Sequence, residues 1–370
     1  MKNSQEILLK LIRTALWGPD RQALQSPPQW DKVLLLAGQQ TVLGLVAEAV
    51  PSLPEQFRPD PQTINRLRGI ATNICRSHSL LNRKVADLKT CLDSHDIHSV
   101  LFKGQGVALN YPNPLSRQCG DIDMYVGEKN FEKALRILLP DSKDRASRYK
   151  HLKHFNVEQD GVHLEIHRIA EMLPGLRKDR LFQNWTVQHL ESDRVYKVEI
   201  GGTSVNIPPH QFNCLYIMNH AWHHFISGGI GLRQLCDWTM FLHRHHADID
   251  PAVLEHDLKT FGLTRAWKIL AGVAVEYLGL PTDECPLYSP EFSSKSRQVL
   301  EVIWSEGNFG FHSKDRKKRR PDGHFAGKLH SFIMGSRRKV RIFTISPSDV
   351  FLSWIYYFIR GMANVFVRVK

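Results

Sequence analysis

Hydrophobic residues recur at helical spacing in the first part of the chain. The first segment carries an apolar stripe formed by Leu8, Leu11, Ile12, Ala15 and Leu16, which is the spacing of an amphipathic helix. Proline clusters separate three further segments of the same kind, 29–40, 42–50 and 62–92, and proline interrupts helices. The pattern therefore predicts a helical region over 1–95 that leads into a strand at 98–103.

Strand spacing then replaces helical spacing. Residues 121–126 alternate between polar and apolar side chains, which is typical of a half-buried strand. Two more strand-like runs, 151–158 and 162–168, flank Asp160-Gly161, and Asp-Gly is a strong hairpin signal. We expect these runs to form a small mixed β-sheet. The glycine pair Gly201-Gly202 marks the turn of a second hairpin.

Helical spacing returns after residue 209. The predicted fold class is therefore α+β: a small mixed β-sheet framed by N-terminal and C-terminal helices. We divide the chain into a helical N-terminal region, an α/β core, a helical domain, and an irregular basic segment that ends in an amphipathic helix: 1–95, 96–207, 208–280 and 281–370.

Composition narrows the class of protein. The chain has 370 residues, of which 42% are hydrophobic, enough for a sizeable core. Its six cysteines show no CxxC pair, which argues against a zinc ribbon and favours a reducing compartment. No apolar run reaches the ~18 residues of a membrane span, and the N-terminal segment lacks a signal-peptide core. We expect a cytoplasmic protein without a transmembrane segment.

The formal net charge of +12 favours polyanionic partners. Basic residues cluster in 314–320 and again in 337–341, and the tail, 351–370, has an amphipathic pattern. These features predict contact with an anionic membrane surface, which would make the protein peripheral at the membrane, or with nucleic acid. The alternatives are a solvated loop and a tail that docks on the body of the protein.

The candidate chemistry begins at Asp121 and Asp123, which share one face of the predicted strand. Two adjacent carboxylates repel each other unless a cation lies between them, and Mg²⁺ prefers such oxygen ligands. The preceding turn, Lys103-Gly104, could contact a phosphate. Taken alone, such a pair of acids is more often a solvated face.

A third acid, Glu165, lies in the strand predicted over 162–168. A Glu in a half-buried strand usually has a cationic partner. If this strand pairs with the Asp121 strand, three carboxylates converge as in two-metal phosphoryl transfer. A zinc ion on His163 and His167, or a salt bridge from Glu165 to Arg168, is the competing interpretation.

The order of these motifs resembles the uncharacterised nucleotidyltransferase family, within the polymerase-β-like nucleotidyltransferase superfamily. The resemblance rests on Lys103-Gly104, Gly120-Asp121-Ile122-Asp123 and Glu165, and on the later Gly231–Asp237 segment. It implies a nucleotidyltransferase-type sheet, Asp121, Asp123 and Glu165 as metal ligands, and Gly104 as the turn glycine. Gln105 departs from the Gly or Ser usual in the superfamily turn.

Two arginines accompany these motifs. Arg117 either clamps a phosphate or braces the carboxylates. We assign it, with Lys103 and Gly104, to nucleotide binding. Arg233 and Asp237 are four residues apart on a predicted helix, which suggests an intrahelical ion pair or a brace between domains.

The resulting prediction is a Mg²⁺-dependent nucleotidyltransferase, with Mn²⁺ as the alternative ion. It would move a nucleoside monophosphate from an NTP such as ATP to a hydroxyl-bearing acceptor. Asp121, Asp123 and Glu165 are the predicted catalytic residues. A glycosyltransferase that uses the paired acids for a nucleotide sugar, and a non-catalytic module that keeps the fold for binding, are the alternatives.

Overall fold

The computed structural model describes residues 2–19, 24, 26–139, 153–313 and 324–355. Its α-helices are α1 (Asn3–Trp17), α2 (Trp30–Gln39), α3 (Leu43–Ala49), α4 (Pro61–Asp93), α5 (Gly104–Ala108), α6 (Gly127–Leu138), α7 (Leu176–Leu190), α8 (His210–Ser227), α9 (Leu232–His245), α10 (Pro251–Phe261), α11 (Thr264–Glu276), α12 (Ser293–Glu306) and α13 (His324–Ile342). Its strands are β1 (Val100–Phe102), β2 (Asp121–Tyr125), β3 (His154–Gln159), β4 (Val162–His167), β5 (Tyr196–Ile200) and β6 (Thr203–Ile207).

The central sheet has four strands in the order β1-β2-β4-β3. β1 and β3 run antiparallel to their neighbours, whereas β2 and β4 are parallel. The predicted hairpin joins β3 to β4, and Asp160 and Gly161 adopt φ values of 51° and 73° there, as a tight hairpin turn requires. The predicted α+β class with a small mixed sheet is confirmed.

The second hairpin, β5–β6, packs against the long helix α4. Gly201 and Gly202 form its turn with φ values of 61° and 80°. A Cβ atom on Gly201 would lie 2.5 Å from the Asn82 carbonyl oxygen, so only glycine lets the turn approach α4 this closely. This contact positions the β5–β6 hairpin beside the central sheet.

Two apolar cores hold these elements together. One lies between the sheet, α4 and α6 and includes Leu88, Ile122 and Ile166. The other joins the first helices to the C-terminal ones, so that Leu8 of α1 and Trp267 of α11 belong to the same buried cluster. The cleft described below lies where the sheet meets the helices of this second core.

The C-terminal segment contains more regular structure than the sequence indicated. An irregular basic segment that ends in an amphipathic helix was predicted for 281–370, whereas α12 and α13 are regular helices within it. α12 is stable because its apolar stripe, which includes Val299 and Ile303, is buried in the helical core. The basic run 314–320 and the tail beyond residue 355 lie outside the described residues. Among the described helices, none is both long and apolar enough to cross a membrane.

Gly44 provides a test of the packing that supports the cleft. A Cβ atom there would lie 1.9 Å from the backbone oxygen of Ser116, in the turn before Arg117. We expect Gly44→Ala to lower the free energy of unfolding by about 1–3 kcal/mol, because the added methyl group would push α3 and the Ser116 turn apart. Urea denaturation measures the change.

Gly69→Ala is the matched control, because Gly69 is an exposed position within α4 with nothing close to its Cβ site. It should stabilise the protein by about 0.5–1 kcal/mol through helix propensity. Equal unfolding midpoints for the two variants would show that α3 and the Ser116 turn are not in close contact.

Candidate active site

Parallel pairing of β2 with β4 places the predicted acids side by side. The register sets Asp123 opposite Glu165 and Asp121 opposite His163. Strand alternation turns these side chains to the same face of the sheet, away from Ile122 and Leu164 in the core. Asp123 is buried, whereas Asp121 and Glu165 are half-buried. The sequence analysis assumed that the Asp121 strand pairs with the Glu165 strand, and β2 and β4 do form this pair.

Lys103 and His167 both contact the carboxylate of Asp123. Its Oδ1 lies 2.9 Å from the Lys103 Nζ and accepts a hydrogen bond of 2.9 Å from His167 Nε2. Burial alone would raise the pKa of Asp123, but Lys103 and His167 outweigh it and hold that pKa well below its ordinary value. Asp123 is therefore ionised at neutral pH.

Lys103 is placed by an uncommon backbone conformation. It has φ 45°, and Gly104 follows with φ 41°, a left-handed region that a Lys rarely adopts. Burial disfavours the Lys103 ammonium, yet Asp123, Asp121 and Glu165 together raise its pKa above the ordinary value. The strained turn thus delivers a charged ammonium into the group of carboxylates.

Asp121 carries the charge that Lys103 does not neutralise. Within the part of the chain that the structure describes, the Asp121 carboxylate has no hydrogen-bond or ion-pair partner. Burial and repulsion from Asp123 raise the pKa of Asp121. Three carboxylates face one ammonium, so the group has a surplus of negative charge and of oxygen ligands. This donor set fits a hard divalent cation.

Glu165 lies in a small cluster with two histidines. Its Oε2 is 3.4 Å from His167 Nε2 and 3.8 Å from His154 Nδ1, and the three residues have the geometry of a possible metal site. His163, which the zinc interpretation had used, is instead exposed and lies 3.7 Å from Glu158. The structure therefore brings His154, and not His163, to the acids.

A buried chain of polar groups supports Lys103 from the helical side. The His220 Nε2 of α8 is 3.2 Å from Lys103 Nζ, and its Nδ1 is 3.3 Å from the carboxylate of Glu171. Lys153 Nζ contacts the same carboxylate at 2.8 Å. Burial opposes the charge of Glu171, but Lys153 and His220 hold its pKa well below the ordinary value.

Arg117 is engaged inside the protein. Its Nε and Nη2 donate to the two oxygens of Asp237 on α9, each at 2.7 Å, and its Nη1 lies 3.0 Å from Cys119 Sγ. Tyr111 donates to Asp237 as well, at 2.7 Å. Arg117 therefore braces the loop before β2 against α9 through Asp237, which is not one of the paired acids that the sequence analysis had considered for it; nucleotide binding by Arg117 stays a prediction.

Arg233 faces the cleft instead of pairing along its helix. Asp237, its expected partner, is paired with Arg117, and Arg233 Nη1 donates to the Gln118 carbonyl at 2.8 Å. The cleft is lined by Lys103, Gly104, Val107, Arg117, Asp121, Asp123, Ile217, His220, Ala221, Arg233, Gln234, Asp237 and Phe309. The cations Lys103 and Arg233 and the acids Asp121 and Asp123 therefore line one cleft.

The chain belongs to the uncharacterised nucleotidyltransferase family, whose model matches residues 26–279. This confirms the resemblance and extends it over α2–α4, α10 and α11. A crystal structure of an antigenic nucleotidyltransferase-like protein from Paracoccidioides brasiliensis is similar at 15% identity over 52% of this chain and 91% of that chain. Its TM-score is 0.26, too low for a structural argument. A search of the curated proteins finds no match.

Sequence reasoning missed Arg233, Glu171, Lys153 and His154 as parts of the site. Arg233 had a nearer partner along the helix, which concealed its position at the cleft. Glu171 and Lys153 follow no motif; an acid just after a buried strand is the one signal that could have drawn attention to Glu171. His154 could have been found by reading the hairpin register, which pairs it with His167.

The Arg117–Asp237 pair is testable through a double-mutant cycle. Arg117→Leu leaves the Asp237 carboxylate buried without its cation, so we expect a loss of about 3–5 kcal/mol in the free energy of unfolding. Arg117→Leu with Asp237→Leu should recover a large part of this loss, because neither charge remains. Chemical denaturation measures wild type, the single variants Arg117→Leu and Asp237→Leu, and the double variant. Arg177→Leu, at an exposed position, is the control and should change stability by less than about 0.5 kcal/mol. Additive effects at 117 and 237 would contradict the pairing.

The lowered pKa of His224 leads us to expect that the free energy of unfolding depends on pH. Burial, reinforced by Lys103, lowers the pKa of His224 to about 4, whereas an unfolded His has a pKa of about 6.5. The unfolded state therefore binds the proton first, and the stability that neutral His224 contributes is lost as pH falls from about 6.5 toward 4. By pH 5.5 the loss is about 1 kcal/mol. The difference between the urea midpoints at pH 7.5 and 5.5 should be smaller in His224→Gln than in wild type, with the remainder due to other histidines of lowered pKa such as His220, whereas the exposed His223→Gln should keep the full wild-type difference. The same slope in both variants would contradict the assignment.

Proposed function

We propose that this protein is a Mg²⁺-dependent nucleotidyltransferase that moves a nucleoside monophosphate from an NTP to a hydroxyl-bearing acceptor. The family supports nucleotidyl transfer in general. The observation that carries the specific proposal is the parallel register that sets Asp123 beside Glu165, with Asp121 two residues along the same face. The surplus of negative charge on these groups supports a divalent cation as their ligand.

Asp121, Asp123 and Glu165 would hold the metal. When bound, Mg²⁺ supplies activation of the acceptor hydroxyl and neutralisation of charge on the triphosphate. Burial would raise the pKa of Glu165, but the hydrogen bond from His167 outweighs it and lowers that pKa. A carboxylate with a lowered pKa is a weak proton acceptor, so Glu165 acts as a ligand and not as the base in this proposal.

Lys103 and Arg233 would contact the phosphates. Both line the cleft beside the acids, and an ammonium and a guanidinium bind phosphate oxygens well. Lys103 already contacts Asp123 from the strained turn, which supports a role for its ammonium in holding a phosphate next to the acids. Arg233 is held by one bond to the Gln118 carbonyl, which leaves part of the guanidinium facing the cleft.

The Lys103–Asp123 contact also supports a second candidate, a non-catalytic binding module. In that case the ammonium, 2.9 Å from the carboxylate, permanently takes the place of a metal ion. The site would then bind an anionic partner through Lys103 and Arg233 without needing Mg²⁺. The two candidates differ in whether nucleotide binding depends on the metal.

The test is calorimetric titration of each of the four NTPs with and without Mg²⁺. We expect wild-type protein to bind at least one NTP only when Mg²⁺ is present. Asp121→Asn with Asp123→Asn should weaken this binding at least tenfold, which is about 1.4 kcal/mol, because the ligand oxygens lose their charge. Glu158→Gln, an exposed carboxylate on the neighbouring strand β3, is the matched control and should bind as wild type.

Circular dichroism of the double variant verifies its fold. Equal NTP affinity in the double variant and in wild type would contradict the enzyme proposal. Binding that is tight but independent of Mg²⁺ would instead support the non-catalytic module.

A further inference from the structure

A second cluster of metal-ligating side chains lies away from the cleft, where α8 begins and α9 ends. His210 is the first residue of α8, His245 is the last residue of α9, and Asp248 lies in the 3₁₀ turn that follows. Asp248 Oδ2 is 2.9 Å from His210 Nδ1 and 3.5 Å from His245 Nδ1. One ligand atom from each residue lies within 4.8 Å of the other two.

Asn110 determines which nitrogen of His245 carries the proton. The Asn110 Nδ2 donates to the Val107 carbonyl at 3.0 Å, which directs its Oδ1 to His245 Nε2 at 2.9 Å. Because an amide oxygen only accepts hydrogen bonds, His245 must donate from Nε2. In neutral His245 the lone pair is therefore on Nδ1, the nitrogen that faces Asp248.

This arrangement places two acceptors opposite each other. The Nδ1 lone pair of His245 and the carboxylate of Asp248 are 3.5 Å apart, and both atoms are electron-rich. A cation between His245 Nδ1 and the Asp248 carboxylate would remove the repulsion between them.

The surroundings hold the two imidazoles in place for such a cation. The rings of His210 and His245 lie at 30° to each other with their centroids 3.7 Å apart, and Tyr196 and Phe241 pack beside them at 4.4 Å and 4.9 Å. The bond from His245 Nε2 to Asn110 is the outer hydrogen bond that metal-bound histidines usually make, which orients the ring and raises its basicity.

We propose that His210 Nδ1, His245 Nδ1 and Asp248 form a zinc site. Two imidazoles and one carboxylate suit Zn²⁺, with water as the fourth ligand. Neighbouring ligands of tetrahedral zinc lie about 3.3 Å apart, since zinc–ligand bonds are about 2.0–2.1 Å. The separations of 2.9 Å and 3.5 Å bracket this value. His210 would lose its Nδ1 proton on binding, with the proton moving to Nε2.

The site would tie together three parts of the fold: the start of α8, the end of α9 and the loop after α5. Asn110 lies in that loop and is followed by Tyr111, which donates to Asp237. A bound zinc ion would therefore stabilise the folded state in proportion to its affinity. It would do so without taking part in the proposed nucleotidyl transfer, whose acids lie on β2 and β4.

The experiment measures zinc bound by the full chain, freed of any purification tag and stripped with a chelator. We expect His210→Gln with His245→Gln to bind one zinc equivalent less than wild type, and zinc to raise the melting temperature of wild type by more than that of the double variant. His243→Gln, on the same helix but paired with Glu284, is the matched control. The active-site acids are unchanged in every variant, so any zinc they take up is common to all.

Two single variants decide the matter if the double variant does not fold. Asp248→Asn changes an exposed side chain and should weaken zinc binding at least tenfold. Asn110→Leu removes the outer hydrogen bond and should weaken it about 10–100-fold. Equal zinc stoichiometry and affinity in wild type, Asp248→Asn and the double variant would overturn the proposal, as would absence of tight zinc binding in wild type.

Discussion

The site depends on the parallel pairing of β2 with β4. This register places Asp123 beside Glu165 and leaves Asp121 on the same face, where burial and repulsion from Asp123 and Glu165 raise the pKa of Asp121. The sheet can maintain the arrangement because Ile122 and Leu164, on the opposite face, are fully enclosed in the apolar core. A slip by one residue would exchange the acids with these apolar side chains. Core packing therefore determines where the charges lie.

Buried polar contacts then connect the sheet with the helices. Lys103 links Asp123 to His220 on α8, and Arg117 links the loop before β2 to Asp237 on α9. Each contact is costly to break, because it would leave a charged group buried without its partner. The cleft thus has one wall from the sheet and one from the helical core, with Arg233 at its edge. Movement of α8 or α9 would change the charge balance around Asp121.

The sequence predicted the local parts of this structure and missed those formed by distant contacts. Alternation revealed the acids of β2 and β4, and Asp160-Gly161 revealed the hairpin, because both depend on neighbouring residues. The parallel pairing itself could only be assumed. Arg233 was assigned to Asp237 because that acid is one helical turn away, whereas Arg117 takes it across 120 residues. Helices α12 and α13 were not predicted, because their apolar residues form a recognisable buried face only against the rest of the helical core.

A structure determined with Mn²⁺ and a non-hydrolysable NTP would test the proposed site most directly, because Mn²⁺ is identified by its anomalous scattering. We predict an anomalous peak for Mn²⁺ within bonding distance of oxygens of Asp121 and Asp123, with Glu165 beside it. We also predict that the triphosphate contacts Lys103 and Arg233, and that Lys103 moves away from Asp123. A triphosphate bound in the cleft with Lys103 still on Asp123, and no metal at the three acids, would contradict the proposed mechanism.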